Sequence, residues 1–527
     1  MKLNWKLKIA IVVGIFSLVL AGCSDAMGSM DHSKMSTGNS ETPKTTDGKT
    51  VKTEVLTSNE FNLTAVASNQ EIAPGKTLPV WTFNNSVPGP QLRVKQGDTV
   101  KVNLKNELSE PVTIHWHGVP VPNAMDGIPG VTQNAVQPGE TFTYEFKADV
   151  PGTYWYHSHQ DSVNQLDRGL YGSFIVEGKN EDKVDRDYTL MLDEWVSSGM
   201  NMSDSGMSGM NHSGMNMDSS SSPSSENGMS NNSMTMGDDM SMYDLFTING
   251  KSGSLVDQLP VKEGDKVRIR LINAGYLSHQ IHLHGHEFKV MATDGQPINN
   301  PSVLKDNIIN IAPGERYDIE FVANNPGQWL IEDHSDNKAA SGMKETIVYE
   351  GASAGSDQSN ASEKLAAVDL TRYGQAGKTS FTLNQKYTME YTMDLNTEMQ
   401  DGNTVYTING KTFPNTDALT VKKGDTVKVR LVNNSKTNDH PMHLHGHFFQ
   451  VLSKNGKPLE GSPIIKDTLN VKPGEEYVIA FEADNPGNWM FHCHDLHHAS
   501  AGMVTELKYT DFKTDFVADP NAGNMPE

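Results

Sequence analysis

The stretch Gly264-Asp265-Lys266-Val267-Arg268-Ile269-Arg270-Leu271-Ile272 sets an apolar side chain at every second position behind a Gly-Asp turn. Successive side chains of a strand point to opposite faces of a sheet, so this period of two marks a strand. The pattern occurs twice more, after Gly97-Asp98 in Thr99-Val-Lys-Val-Asn-Leu-Lys105 and after Gly424-Asp425 in Thr426-Val-Lys-Val-Arg-Leu-Val432. Each copy leads to a Pro-Gly-Glu turn (Pro138, Pro313, Pro473). A Pro-Gly turn (Pro151, Pro326, Pro486) follows, opening an aromatic strand. Such turns around alternating runs predict half-buried antiparallel strands, and no helical stripe of similar length competes with them. Repeats this long are domains rather than solenoid units. The second and third copies correspond turn for turn, with Trp329 matching Trp489 and Met343 matching Met503. The fold is therefore read as all-β, three consecutive Greek-key β-sandwich domains.

The first sandwich is assigned to residues 52–178 and the second to 183–352; a linker at 353–366 precedes the third sandwich at 367–512 and a tail at 513–527. Residues 1–22 read as an export signal, with Lys2, Lys6 and Lys8 before an apolar run from Ile9 to Leu20. The run ends in Leu20-Ala21-Gly22-Cys23, which resembles a bacterial lipobox and implies cleavage before a lipidated Cys23. Several acyl chains would hold the mature protein on the outer side of the cell membrane. Residues 23–51 then read as a flexible tether. Residues 198–242 interrupt the second sandwich with a Ser/Asn/Gly-rich insert carrying eleven methionines, from Met200 to Met242, and His212. So little apolar branching predicts disorder there.

Lys+Arg total 43 against 65 Asp+Glu, a net charge of −22 that excludes a nucleic-acid binder and favours cations as partners. Two cysteines, 23 and 493, exclude a disulfide scaffold, yet the chain has 26 Met and 19 His. Seventeen of those histidines fall in five tight clusters, and imidazole is the commonest transition-metal ligand. In His492-Cys493-His494, strand alternation turns the cysteine to one face and both histidines to the other. One short peptide would thus join a thiolate site to an imidazole site. His440, Cys493, His498 and Met503 make up the donor set of a blue-copper centre; a buried inert thiol beside satisfied histidines is the alternative. The pairs His115/His117, His157/His159, His443/His445 and His492/His494 bring eight imidazoles from the first and third sandwiches. Eight nitrogens can hold three copper ions.

The strings His115-Trp-His-Gly118, His157-Ser-His159, His440-Pro-Met-His-Leu-His-Gly446 and His492-Cys-His…His498…Met503 resemble the four signatures of the multicopper oxidases. They come in the family's order and span nearly all of 52–512. The resemblance implies cupredoxin-like domains and four copper ions. A type 1 ion would lie at His440, Cys493, His498 and Met503, and a type 2 ion at His115 and His443. One type 3 ion would be held by His117, His157 and His494, the other by His159, His445 and His492. It also implies four one-electron oxidations coupled to reduction of dioxygen to water. Asp126 matches the acid that in similar enzymes orients water and delivers protons. Many bacterial relatives have a second acid directly after the last type 1 histidine, where this chain has Ala499. His447 and His497 match no ligand position.

The second sandwich keeps His279, His282, His284 and His286, but Glu332, Asp333 and Lys338 replace the counterparts of His492, Cys493 and His498. A thiolate site cannot form there. Either a remnant is packed as polar core, or His282, His284 and His334 form an accessory metal site. For the electron donor, thioether sulfur prefers Cu(I). The Met insert, together with Met27, Met30, His32 and Met35 of the tether, therefore points to a cuprous oxidase in copper tolerance, with secondary laccase-like phenol oxidation. Similar inserts occur in copper-tolerance members of the family. Asp439 is a candidate guide for the incoming cation. The alternatives are a laccase, a manganese or iron oxidase, a nitrite reductase, or a non-enzymatic copper-binding protein. Three domains suffice to enclose the cluster, so a monomer is expected.

Overall fold

The computed structural model describes residues 52–198, 242–335, 342–351 and 365–527. The export signal, the tether, the Met-rich insert between 199 and 241, Lys338 and most of the linker lie outside the described residues. Among the described residues six sheets, two per sandwich, account for nearly all the regular structure. In the first sandwich a four-stranded sheet runs Lys76–Phe83, Glu60–Ala73, Thr99–Asn106, Thr141–Lys147. The sheet opposite it ends in Gly152–His157 and His115–His117. The second and third sandwiches repeat the plan, with Lys266–Asn273 and Thr426–Asn433 in the place of Thr99–Asn106.

The repeated Gly-Asp turns have one local cause. Gly97, Gly264 and Gly424 adopt φ of 94°, 93° and 87°, a region costly for any residue with a Cβ. The following Asp98, Asp265 and Asp425 accept the backbone N–H of Lys95, Lys262 and Lys422 at 2.9, 2.9 and 2.7 Å. Each turn is thus closed by an Asp side chain that reaches back to the backbone N–H three residues earlier.

Two expectations need correction. Pairing is not antiparallel throughout: Thr99–Asn106, Lys266–Asn273 and Thr426–Asn433 each run parallel to one neighbour and antiparallel to the other. The parallel neighbour precedes each of them in sequence, and the intervening chain crosses to the opposite sheet. A hairpin would have forced the reverse direction. Nor is Lys266–Asn273 half-buried, because every residue after Lys266 is buried. Arg268 and Arg270, which alternation assigns to solvent, are covered by the first sandwich and its connection. Arg270 there meets Asp187, Glu181 and Asp318, and donates to the Thr153 hydroxyl at 2.8 Å.

A second buried arginine ties the domains together. Arg316, in the second sandwich, donates from both terminal nitrogens to the Asp467 carboxylate of the third, at 2.7 and 2.6 Å. Its Nε donates to the Thr153 carbonyl of the first at 3.1 Å. Arg316 and Asp467 are 0 and 1% exposed. The apolar core of the second and third sandwiches is one continuous cluster, whereas most of the first sandwich packs around its own.

Arg316→Met should cost about 3–5 kcal/mol in chemical denaturation, since an uncompensated Asp467 would stay buried. Copper content should fall in the same variant. A loss below about 1 kcal/mol, the scale of exposed pairs, would contradict the role given to this pair.

Candidate metal centre

Strand ends deliver the eight paired histidines to one place. His115–His117 and Gly152–His157 run side by side, with His115 opposite His157. In the third sandwich His440–Leu444 and Asn488–Cys493 pair with His443 opposite His492 and Met442 opposite Cys493. All eight imidazoles are at most 1% exposed. The two sandwiches meet ring on ring, His117 stacking on His443 at 3.8 Å between centroids and His115 on His445 at 4.0 Å.

One nitrogen of most of these rings is anchored, which fixes the tautomer. Nδ1 of His115, His157, His443 and His492 donates to the carbonyls of Asp126, Ser158, Asp467 and Cys493 at 2.9, 2.9, 3.0 and 3.0 Å. Nδ1 of His445 meets Asp126 Oδ2 at 3.0 Å, and Nε2 of His117 meets the Thr468 hydroxyl at 3.0 Å. The other nitrogens are left over. Nε2 of His115, His157, His159 and His443, Nδ1 of His117 and both nitrogens of His494 are buried without a hydrogen-bond partner. His445 and His492 face each other Nε2 to Nε2 at 3.0 Å, although both donate through Nδ1. Two lone pairs at that distance repel unless a cation stands between them. Burial, reinforced by the neighbouring rings, pushes His117, His157, His445, His492 and His494 well below the usual imidazole range, leaving the neutral form that metals bind. Orphaned buried nitrogens in this number are costly without ions, and they fit copper.

Donor atoms of His159, His445 and His492 lie within 4.8 Å of one another, matching one trio the resemblance implies. Two further trios, His115/His117/His157 and His115/His443/His445, cut across the implied division, so the rings form one continuous nest.

Cys493 points to the opposite face. Its Sγ lies 3.8 Å from His440 Nδ1 and 3.6 Å from His498 Nδ1, and Met503 is buried in the same core. Burial pushes the thiol well above its usual range, so a metal is needed to hold it as thiolate. His440 Nε2 meets the Ser435 hydroxyl at 2.8 Å and His498 Nε2 lies 3.3 Å from Asp495. Asp439 is partly buried and accepts from Asn470 at 2.8 Å. His447 bridges the His445 carbonyl and the Tyr509 hydroxyl, and His497 reaches Tyr243 of the second sandwich at 2.9 Å.

Several contributors escaped the sequence reading. Asp467 holds His443 through its carbonyl and lies 3.3 Å from His117 through its carboxylate. Its only sequence signal is the match with Asp306 in the second repeat. Gly314, at φ +80°, presses on the nest from the second sandwich; a Cβ there would lie 2.9 Å from the His494 ring and 3.0 Å from that of His117. The tail crosses to the first sandwich, where Gln160, Ala135, Asp161 and His159 donate in turn to Gly523, Asn524, Met525 and Pro526. Glu527 Oε1 then lies 3.4 Å from His492 Nδ1, and neither of its side-chain oxygens has a hydrogen-bond partner.

Models of multicopper oxidase domains match residues 65–181, 210–352 and 379–512. The chain is 31% identical to the multicopper oxidase MmcO of Mycobacterium tuberculosis over 440 residues, 82% of this chain and 84% of that protein. The chain belongs to the multicopper oxidase family. This oxidase is also 25% identical to copper resistance protein A of Escherichia coli, over 86% of its own length and 93% of the relative's. The crystal structure of a multicopper oxidase from Pseudomonas thermotolerans superposes with a TM-score of 0.62 at 26% identity, covering 87% of this chain and all of that one. The oxidase is an oxidoreductase of the family's type, built of cupredoxin-like domains, with copper as its cofactor.

In the second sandwich of the oxidase the blue-site position holds an ion pair. His279, matching His440, lies 2.9 Å from Asp333, which matches Cys493, and 2.8 Å from Glu194. Burial alone would lower this imidazole, but Glu194 and Asp333 outweigh it and raise it to about 10. The gain from an imidazolium held above its unfolded value of about 6.5 is complete below that pH and is lost as pH rises through about 10. The thermal stability advantage of wild type over His279→Gln should accordingly be largest near pH 6.5 and shrink towards pH 10. A pH-independent difference across that window would refute the ion pair.

Proposed function

We propose that the oxidase carries four copper ions and oxidises Cu(I) on the outer side of the cell membrane, held there through a lipidated Cys23 as a monomer. The observation that carries the four-copper reading is the single peptide His492-Cys493-His494, which faces a thiol trio on one side and the nest of lone pairs on the other. The type 1 ion is assigned to His440, Cys493, His498 and Met503. The type 2 ion is assigned to His115 and His443. The type 3 ions are assigned to His117, His157 and His494, and to His159, His445 and His492. Bound copper supplies one-electron chemistry at the thiolate and four-electron reduction of dioxygen to two waters at the nest.

The chain's own residues set the conditions for that chemistry. Asp126 accepts from His445 through Oδ2, and its carbonyl accepts from His115, so it fixes one ring from each sandwich. Its Oδ1 has no hydrogen-bond partner and is the atom proposed to orient water and pass protons. Burial of every ring at the nest excludes bulk water and preserves the stacked geometry. Cys493 and His492 are adjacent, so the route between the two sites is covalent.

Support for Cu(I) as donor comes from the Met-rich insert, whose thioethers suit a soft cation, and from the likeness to a protein named for copper resistance. Likeness to Laccase-2 of Botryotinia fuckeliana, 31% identical over 83% of this chain, supports phenol oxidation as a secondary activity.

Deleting residues 200–242 should lower cuprous oxidation several-fold while oxidation of a bulky phenol or dye changes little; equal loss on both substrates rejects the insert's role. Cys493→Ser should abolish the blue absorption and turnover with all donors, with the circular dichroism spectrum retained.

A further inference from the structure

The second sandwich holds a histidine cluster that none of the four assigned coppers uses. His282, His284 and His334 occupy the positions that His443, His445 and His494 hold in the third sandwich, and Glu332 stands where His492 does. The strand register is the same, His282 opposite Glu332 as His443 is opposite His492. We propose that His282, His284, His334 and Glu332 bind one divalent cation of borderline softness, Zn(II) or Cu(II).

Three observations carry this site. The donor atoms of the three histidines lie within 4.8 Å of one another. His284 Nε2 is 3.1 Å from His334 Nε2 and 3.0 Å from Glu332 Oε1, and His334 Nε2 is 3.5 Å from the same oxygen. A tetrahedral ion with bonds of roughly 2.0–2.1 Å separates its ligands by about 3.3 Å, so these spacings are already edges of such a site. His282 supplies the decisive third point. It is 4% exposed, its ring lies 4.1 Å from that of His284 and 4.9 Å from that of His334, and neither of its nitrogens has a hydrogen-bond partner. An inherited polar core would have satisfied that ring, as His286 is satisfied by the His284 carbonyl and the Tyr349 hydroxyl.

The donor set selects the ion. Three imidazoles and one carboxylate are a ligand set that suits Zn(II) and Cu(II), and offer nothing to Cu(I) that the thioethers do not offer better. Glu332 and His334 keep slight exposure, which leaves the ion a way in. With Asp333 at the thiolate position and engaged by His279, the site has no sulfur to accept electrons. It is a binding site rather than another redox centre.

Holoenzyme saturated with Zn(II), or in a separate arm with Cu(II), then dialysed and assayed by elemental analysis, should retain one more equivalent per chain than His282→Ala or Glu332→Gln. The blue absorption should be the same in all three. Equal metal in wild type and both variants overturns the proposal. Anomalous scattering from wild-type crystals soaked with Zn(II) decides the matter without a variant. A peak among His282, His284 and His334 is expected, and its absence at full soaking overturns the site.

Discussion

The bidentate pair between Arg316 and Asp467 is the constraint on which the arrangement of the centre depends. A guanidinium and a carboxylate this deeply buried are tolerable only together. Arg316 comes from the second sandwich, Asp467 from the third, and the Thr153 carbonyl of the first accepts from Arg316 Nε. The same Asp467 anchors His443 and approaches His117, one imidazole from each half of the nest. A single ion pair therefore ties the second domain to the third and, through Asp467, bears on rings that the third shares with the first. The middle domain, which gives no imidazole to the nest, still decides its shape through Arg316 and through Gly314 against His494 and His117.

Second contacts of this kind are what distinguish the centre from a mere accumulation of histidine. With Nδ1 of His115, His157, His443, His445 and His492 committed to carbonyls or to Asp126, the Nε2 of each of these rings is left as a lone pair directed inward, while His117 is held through Nε2 and leaves Nδ1. The second sandwich shows the same backbone under different demands. Its counterpart of the thiol trio has become the His279–Asp333–Glu194 ion cluster, while its counterpart of half the nest has kept three imidazoles and replaced the fourth by Glu332. The second repeat lacks the thiolate but holds a donor set of another class.

Much of this was legible in the sequence, and for a physical reason. Alternation along a strand is a local rule, so His492-Cys493-His494 announces two faces and the four His-x-His pairs announce one shared face. The three Gly-Asp turns likewise carry their own closure in the Asp side chain. What stayed hidden depends on distant partners. Arg268, Arg270 and Arg316 sit at alternating polar positions and read as solvent-facing, because nothing local reveals that another domain covers them. Parallel pairing was missed because turn signals mark where strands end, not which strand lies alongside. Asp467 follows a lysine in an ordinary strand entry, and its importance lies in a guanidinium far away in the chain.

The segment ending at Pro526 and Glu527 has a consequence for the order of assembly. Pro526 receives the His159 imidazole, so a residue of the first sandwich and one 367 positions further along the chain complete one wall of the nest. A nascent chain that has made only the early histidines has neither the late ones nor this wall. Cargo ions meeting such a chain would find open, mobile imidazoles with no defined geometry. Loading of the nest must therefore follow synthesis of the third sandwich and of the segment through Pro526, as a late event rather than a scaffold for the earlier ones.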